Sequence, residues 1–176
     1  NPQLARRFNK SVRYIDDLLT INNDGLMNKY MSNIYPKELE LKHENSQNDQ
    51  HTTYLDLEIN VGNNEIVTSL YDKRDVFPFT VVNFPDLSGN IPQDASYGVF
   101  IAQTLRYARA CAMYNDFLSR THRLRAQLVN QNFKHKHLIQ KLKRWMNTSD
   151  KAKVLLRYGH SFQQILSDLN KVNENG

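Results

Sequence analysis

A chain of 176 residues with 40% hydrophobic content is long enough for one domain, or two small ones, with a real core. Its apolar runs are only a few residues long, which excludes a membrane-spanning helix of about 20 apolar residues; the start, NPQLARRFNKS, lacks the apolar segment of a signal peptide. One cysteine, Cys111, excludes an intrachain disulfide and a cysteine-based zinc site.

The net charge of +5 hides an asymmetry: residues 1–100 hold 9 Lys and Arg against 14 Asp and Glu, and residues 101–176 hold 14 against 4. An acidic front can hold metal and a basic back can grip a polyanion, although a solvated basic surface reads the same way. The expected setting is intracellular, nuclear or cytoplasmic, not secreted and not at a membrane. The chain lacks an initiator Met and is expected to be cut from a longer one.

In chain order, VRYIDDLLTI (12–21) reads as a tight strand–turn–strand hairpin around Asp16 and Asp17. A helix with Leu26, Met27, Tyr30, Met31 and Ile34 at helical spacing follows and ends at Pro36. LELK (39–42) is a short strand, and HENSQNDQHT (43–52) is a polar loop. YLDLEINV (54–61) alternates with period two, burying Leu55, Leu57, Ile59 and Val61. It returns through Gly62-Asn63-Asn64 into EIVTSLYDK (65–73), so 54–73 is a hairpin. Asp56 and Glu58 share a face and read as the solvent side of this strand rather than a metal pair. A connection over 76–96 is packed by its own aromatics, Phe77, Phe79 and Phe84. Helices then run over 95–113, with Val99, Ala102, Leu105, Ala108, Ala112 and Met113 on one face, and near 115–131, 134–147 and 160–172. Three regions result: residues 1–75, rich in strands; the connection, 76–96; and a basic helical region, 97–176.

Arg13-Tyr14-Ile15-Asp16-Asp17-Leu18-Leu19 is the sharpest feature. Nucleotide joining by in-line attack is served by two divalent ions that stabilise the attacking and leaving oxygens, and Mg²⁺ prefers carboxylate oxygens. Two Asp at a hairpin tip reach a metal while Ile15, Leu18 and Leu19 anchor the turn. An Asp-rich structural turn is the alternative.

RYIDDLL resembles the catalytic YxDD turn of reverse transcriptases. The motifs behind it, YPKELELK (35–42), YLDLEINV (54–61), TSLYDKRD (68–75), the FP…NIP connection (84–92), YGVFIAQTLRYARAC (97–111) and DFLSR (116–120), are similar to those of Penelope-like retroelements. The resemblance covers roughly residues 11–135; the last 40 or so match only in being basic and helical. It implies an α+β fold: a partial palm of hairpins with one packed helix, followed by an all-helical thumb. It implies RNA-directed DNA synthesis with two Mg²⁺ ions, deoxynucleoside triphosphates as substrates and an RNA template with a DNA primer, or an RNA–DNA hybrid, as partner.

Residue by residue, the resemblance makes Asp16 a metal ligand and Asp17 its accessory carboxylate, with Tyr14 beside the primer end. The third carboxylate belongs to an earlier strand, before Asn1, as do the fingers, so the fragment alone is expected to be inactive. Lys42 stands where a lysine approaches the triphosphate; protonating the leaving pyrophosphate and lying idle at a strand end both remain open. The hairpin 54–73 is similar to a primer grip, with Ser69, Tyr71 and Lys73 near the primer backbone. Arg106 and Arg109, at i and i+3 on one helix side, are expected to contact phosphate, with ordinary surface arginines or partners for Asp116 as the alternative.

In NFKHKHLIQKLKRW (132–145), Lys141, Lys143 and Arg144 suit non-specific grip on a duplex backbone. His135 and His137 face apart on a helix and form no metal site. Cys111 reads as a small core residue. The rival readings are a non-catalytic nucleic-acid-binding module derived from a retroelement, and a helical protein-interaction domain whose YIDD is accidental.

Overall fold

Apolar residues that recur every three or four positions bury one helix face, and the second half of the chain is built from such faces. The computed structural model describes residues 2–21, 25–39, 42, 50–62, 64–79 and 81–171. Its elements are α1 (Pro2–Arg6), β1 (Ser11–Tyr14), β2 (Asp17–Thr20), α2 (Leu26–Ile34), β3 (His51–Tyr54), β4 (Leu57–Gly62), β5 (Glu65–Leu70), α3 (Gln93–Ser96), α4 (Gly98–Ala110), α5 (Tyr114–Asn130), α6 (His135–Thr148) and α7 (Phe162–Asn170). Two 3₁₀ stretches, Lys73–Val76 and Asp150–Tyr158, complete them. The class is α+β, and no helix of the described residues is long and apolar enough to cross a membrane.

β1 and β2 form a two-stranded antiparallel sheet, with Tyr14 opposite Asp17. β3, β4 and β5 form an antiparallel meander in which Tyr54 faces Leu57 and Leu57 faces Leu70. This corrects the expected hairpin over 54–73. YLDLEINV is broken by a two-residue turn at Leu55-Asp56, and His51 and Thr52 are strand rather than loop. A two-residue turn shifts the alternation by one position, since the partners Tyr54 and Leu57 share a face, but of the stretch 54–61 only Tyr54 belongs to the earlier strand, so the shift leaves no trace in its alternation. Of the expected buried face only Ile59 is buried, while Leu55 and Val61 are exposed. The returning strand stops at Leu70, where Asp72 accepts from the Arg74 N–H and starts the 3₁₀ turn.

The core lies among the helices. Phe100, Phe117, Leu124, Leu128, Leu138, Leu142, Leu155 and Ile165 are fully buried, and Leu70 joins them from the sheet. On α4 the buried face is Phe100, Thr104, Tyr107 and Ala108; Ala102 and Met113, expected inside, are exposed. The larger aromatics Phe100 and Tyr107 take the core side; of the expected face Ala108 is buried and Val99, Leu105 and Ala112 are half-buried. The connection also divides: Phe84, Leu87 and Ile91 pack on the core, whereas Phe77 and Phe79 remain exposed. The stretch 150–158, for which no element was expected, is 3₁₀-helical and buries Ala152 and Leu155.

Helix ends explain the turns between helices. α5 closes with Asn132 in the left-handed region (φ 65), with Phe133 N–H donating to Leu128 O at 3.0 Å and Asn132 N–H to Val129 O at 3.0 Å. This is the Schellman arrangement, and Phe133, 2% exposed, supplies its hydrophobic contact. α7 starts at Ser161, whose hydroxyl accepts from the Gln164 N–H. It ends against Arg125, a buried guanidinium that donates to the carbonyls of Leu169 and Lys171. A cation at a helix C-terminus also opposes the negative end of the helix dipole. Lys171, Gln164 and Tyr114 surround Asp168 and hold its carboxyl down at about 2.

Arg125→Met fills much of the same volume but leaves the last α7 carbonyls without a donor, and should lower stability by about 1–3 kcal/mol in urea denaturation. Arg125→Lys should not restore the loss, because one ammonium cannot reproduce a planar fork. An unchanged midpoint for the Met variant would remove this capping role.

Candidate functional site

The hairpin tip decides what Asp16 and Asp17 can do. Tyr14 pairs with Asp17, so the loop is two residues, Ile15 and Asp16. Ile15 has φ 52 and Asp16 has no positive φ, which is the type II′ pattern, whose first position normally takes glycine. A β-branched residue in the left-handed region is strained. Arg13 Nε donates to Ile15 O at 2.8 Å and braces the turn. Tyr14, Asp16 and Asp17 are all exposed, so both carboxylates stand free in solvent beside a phenol ring. Ile15 was expected to anchor the turn but is 73% exposed; Leu18 and Leu19 are half-buried.

The second hairpin repeats this construction. Leu55, with φ 56, and Asp56 form the loop between Tyr54 and Leu57. Tyr-aliphatic-Asp occurs at both turns, and the Tyr54 hydroxyl lies 3.5 Å from Val12 O on the first hairpin. Here the aspartate is occupied: Arg106 on α4 donates to Asp56 Oδ2 from Nε at 2.9 Å, with Nη2 at 2.8 Å. Both partners are more than two-fifths exposed, which makes this a solvent-screened clamp between sheet and helix. Arg109 is exposed and forms no ion pair among the described residues.

Glu58, one position beyond Leu57, accepts from Ser69 Oγ at 2.9 Å and lies 2.8 Å from His51 Nε2. The His51 and Ser69 hydrogen bonds hold its carboxyl below the usual range for Glu. Asp56 and Glu58 therefore do not form a pair on one face: one is in a turn on a helix arginine, the other bridges β3 and β5. Tyr71 is half-buried and donates its N–H to Asp56 O at 2.9 Å; Lys73 is exposed in the 3₁₀ turn.

Lys42 is exposed; the expected strand 39–42 falls partly outside the described residues, and Leu39 closes a turn on Pro36 O instead. On α6, Leu138, Leu142 and Met146 are buried, which turns Lys143 and Arg144 outward as exposed cations, while Lys141 is half-buried with Asp94 at 3.3 Å. Cys111 is fully buried, and burial pushes its thiol up, away from a reactive thiolate.

Three networks went unread in the sequence. Asp72 holds the Arg74 guanidinium, Asp75 takes both Arg120 and Arg123, and Glu58 joins His51 to Ser69. The only signal for the second was the i, i+3 spacing of Arg120 and Arg123, which places them on one face of α5.

Asp16 and Asp17 offer hard oxygen donors of the type Mg²⁺ takes. Among the described residues no group of three or more His, Cys, Asp or Glu gathers around them or elsewhere, so the donor type fits and the donor number does not reach a two-ion site. No family model, no curated protein and no solved structure matches the chain.

Ile15→Gly should relieve the turn and slow amide exchange in the hairpin 11–20 about fivefold, the equivalent of about 1 kcal/mol of local stability. Exchange rates that stay the same would show that Ile15 carries no strain.

Proposed function

We propose that this chain is the back of the palm and the thumb of a reverse transcriptase of the Penelope-like type, serving RNA-directed DNA synthesis within a longer chain. The observation that carries the reading is the YIDD turn: two adjacent exposed aspartates on a two-residue hairpin whose first loop residue is a strained isoleucine. A turn needed only to reverse the chain is better made with Asn-Gly or Gly.

In this reading Asp16 and Asp17 hold Mg²⁺ together with a third carboxylate from elsewhere in the longer chain. The bound ions would supply Lewis-acid stabilisation of the attacking and leaving oxygens. What the chain's own residues contribute is position. Tyr14, which is exposed and paired with Asp17, would lie against a primer terminus. Lys143, Arg144 and Arg109 present unburied cations to a phosphate backbone. Arg106 is partly spent on Asp56, so its phosphate role requires sharing or releasing that pair.

A second reading, a nucleic-acid-binding module without catalysis, draws on the same basic helical surface and does not need the hairpin. One measurement tests both readings and a second, primer extension, separates them. The chain should bind an RNA–DNA hybrid with log K falling against log salt. Lys143→Ala and Arg144→Ala should each flatten that slope by about 1. A slope near zero would remove both readings and leave a protein-interaction domain.

Residues 1–176 alone should not extend a primer. In a longer chain that does, Asp16→Asn should reduce extension more than about a hundredfold without changing hybrid affinity. Full extension by that variant would leave only the module.

A further inference from the structure

The exposed aromatics of the connection form a second surface, separate from the hairpin. Phe77 and Phe79 stack on each other, ring centroids 5.3 Å apart and planes 16° from parallel, yet they are 49% and 63% exposed. Val76 and Val82 beside them are also exposed. Two phenyl rings left in water this way leave apolar area uncovered that the core, a few residues away at Phe84 and Leu87, could have taken.

The rings edge a groove of about 460 Å³ whose other wall is α5. That wall presents Arg123, Gln127 and Asn130, spaced i, i+4 and i+7 and therefore one face of the helix. Asp75 anchors Arg123 at 2.6 Å, and Asp72 clamps Arg74 at the near end, so both guanidinium groups are held in place. The groove thus combines a parallel aromatic stack, two side-chain amides that can both donate and accept, and fixed guanidinium planes.

The charges lining the groove cancel, Arg74 and Arg123 against Asp72 and Asp75, so an anion alone has no reason to settle there. A flat neutral ring with a hydrogen-bonding edge does. The polymer carrying it must also suit a helical region with 14 Lys and Arg against 4 Asp and Glu.

We propose that this groove binds unpaired bases of a single-stranded nucleic acid. Phe77 and Phe79 extend their stack onto a base, Gln127 and Asn130 read its edge without strong sequence preference, and Arg123 lies against the ring or the adjoining phosphate. The assignment goes beyond the polymerase reading and rests on it only for the class of polymer. It concerns a strand leaving or approaching the duplex, not the duplex itself.

The test compares three labelled probes by fluorescence anisotropy: a short oligodeoxyadenylate, an abasic strand with the same number of phosphates, and an RNA–DNA hybrid. Wild type should prefer the strand with bases over the abasic one. Phe77→Ala/Phe79→Ala, both at exposed positions, should weaken oligodeoxyadenylate about 5- to 100-fold and leave the abasic strand and the hybrid unchanged. Phe79→Tyr should keep the affinity.

Equal wild-type affinity for the base-containing and abasic strands, or no effect of the double substitution, would overturn the proposal. So would a double variant that loses self-association in sedimentation while keeping oligonucleotide affinity, because the patch would then join copies of the chain. Failure of wild type to bind the hybrid would count against the duplex reading, while the base-against-abasic comparison still decides this one.

Discussion

The last carbonyls of α4 are the joint that the rest of the molecule hangs on. A helix leaves its final C=O groups without intrahelical donors, and buried ones must find partners elsewhere. Here each partner comes from a different region of the chain. Thr68 Oγ1 donates to Ala110 O at 2.7 Å, and Ala112 N–H returns to Thr68 O at 2.7 Å, which binds β5 to the helix end. The Tyr158 hydroxyl donates to Cys111 O at 2.8 Å, and Arg157 Nη1 reaches Ala108 O at 3.3 Å, which binds the 3₁₀ stretch. Arg120 of α5 donates to Leu70 O at 2.9 Å beside them. Sheet, α4, α5 and the C-terminal 3₁₀ stretch therefore meet at one point, and removing any one donor leaves its carbonyl without that partner.

The joint sets the geometry of the elements around it. With β5 fixed to α4, Asp56 comes within reach of Arg106 and the β-meander stands against the helices. With Arg120 tied to Leu70 O, its other Nη is left for Asp75, and Arg123 one turn along shares that carboxylate. The groove edged by Phe77 and Phe79 is framed by these same ties. A surface that binds by stacking needs such a frame, since rings free to rotate lose more order on binding than rings already held.

The amphipathic helices α5, α6 and α7 were legible because their core residues repeat at helical spacing: Phe117, Leu124 and Leu128 on α5, Leu138, Leu142 and Met146 on α6, and Ile165 and Leu169 on α7. The face of α4 was not legible, since small and large apolar residues surround that helix and only packing volume decides which side goes in. The turn at Leu55-Asp56 was hidden for a different reason. Leu55 is not a usual turn former, a single Asp56 within an alternating run is a weak turn signal, and the positive φ of Leu55 accompanies the pairing on both sides. The first hairpin was readable from its Asp pair, but the exposure of Ile15 was not, because an apolar residue in a short run looks like an anchor. Ion pairs such as Asp75 with Arg120 span 45 positions and leave no local trace.

The Tyr14–Asp17 hairpin stands outside this frame, and that contrast bears on its purpose. A two-stranded ribbon is marginal in water. This one is made weaker still: Val12, Tyr14 and Ile15 are exposed, a β-branched residue occupies a glycine position, and two carboxylates repel each other at adjacent residues. None of these features adds to stability, and each has a simpler substitute that would reverse the chain equally well. The second hairpin shows the contrast, because its Asp56 is neutralised by Arg106 and its strand is covered by a third. Backbone strain and unpaired like charges persist where another requirement outweighs their cost. In the proposed polymerase reading that requirement is a divalent cation, which would relieve the repulsion between Asp16 and Asp17.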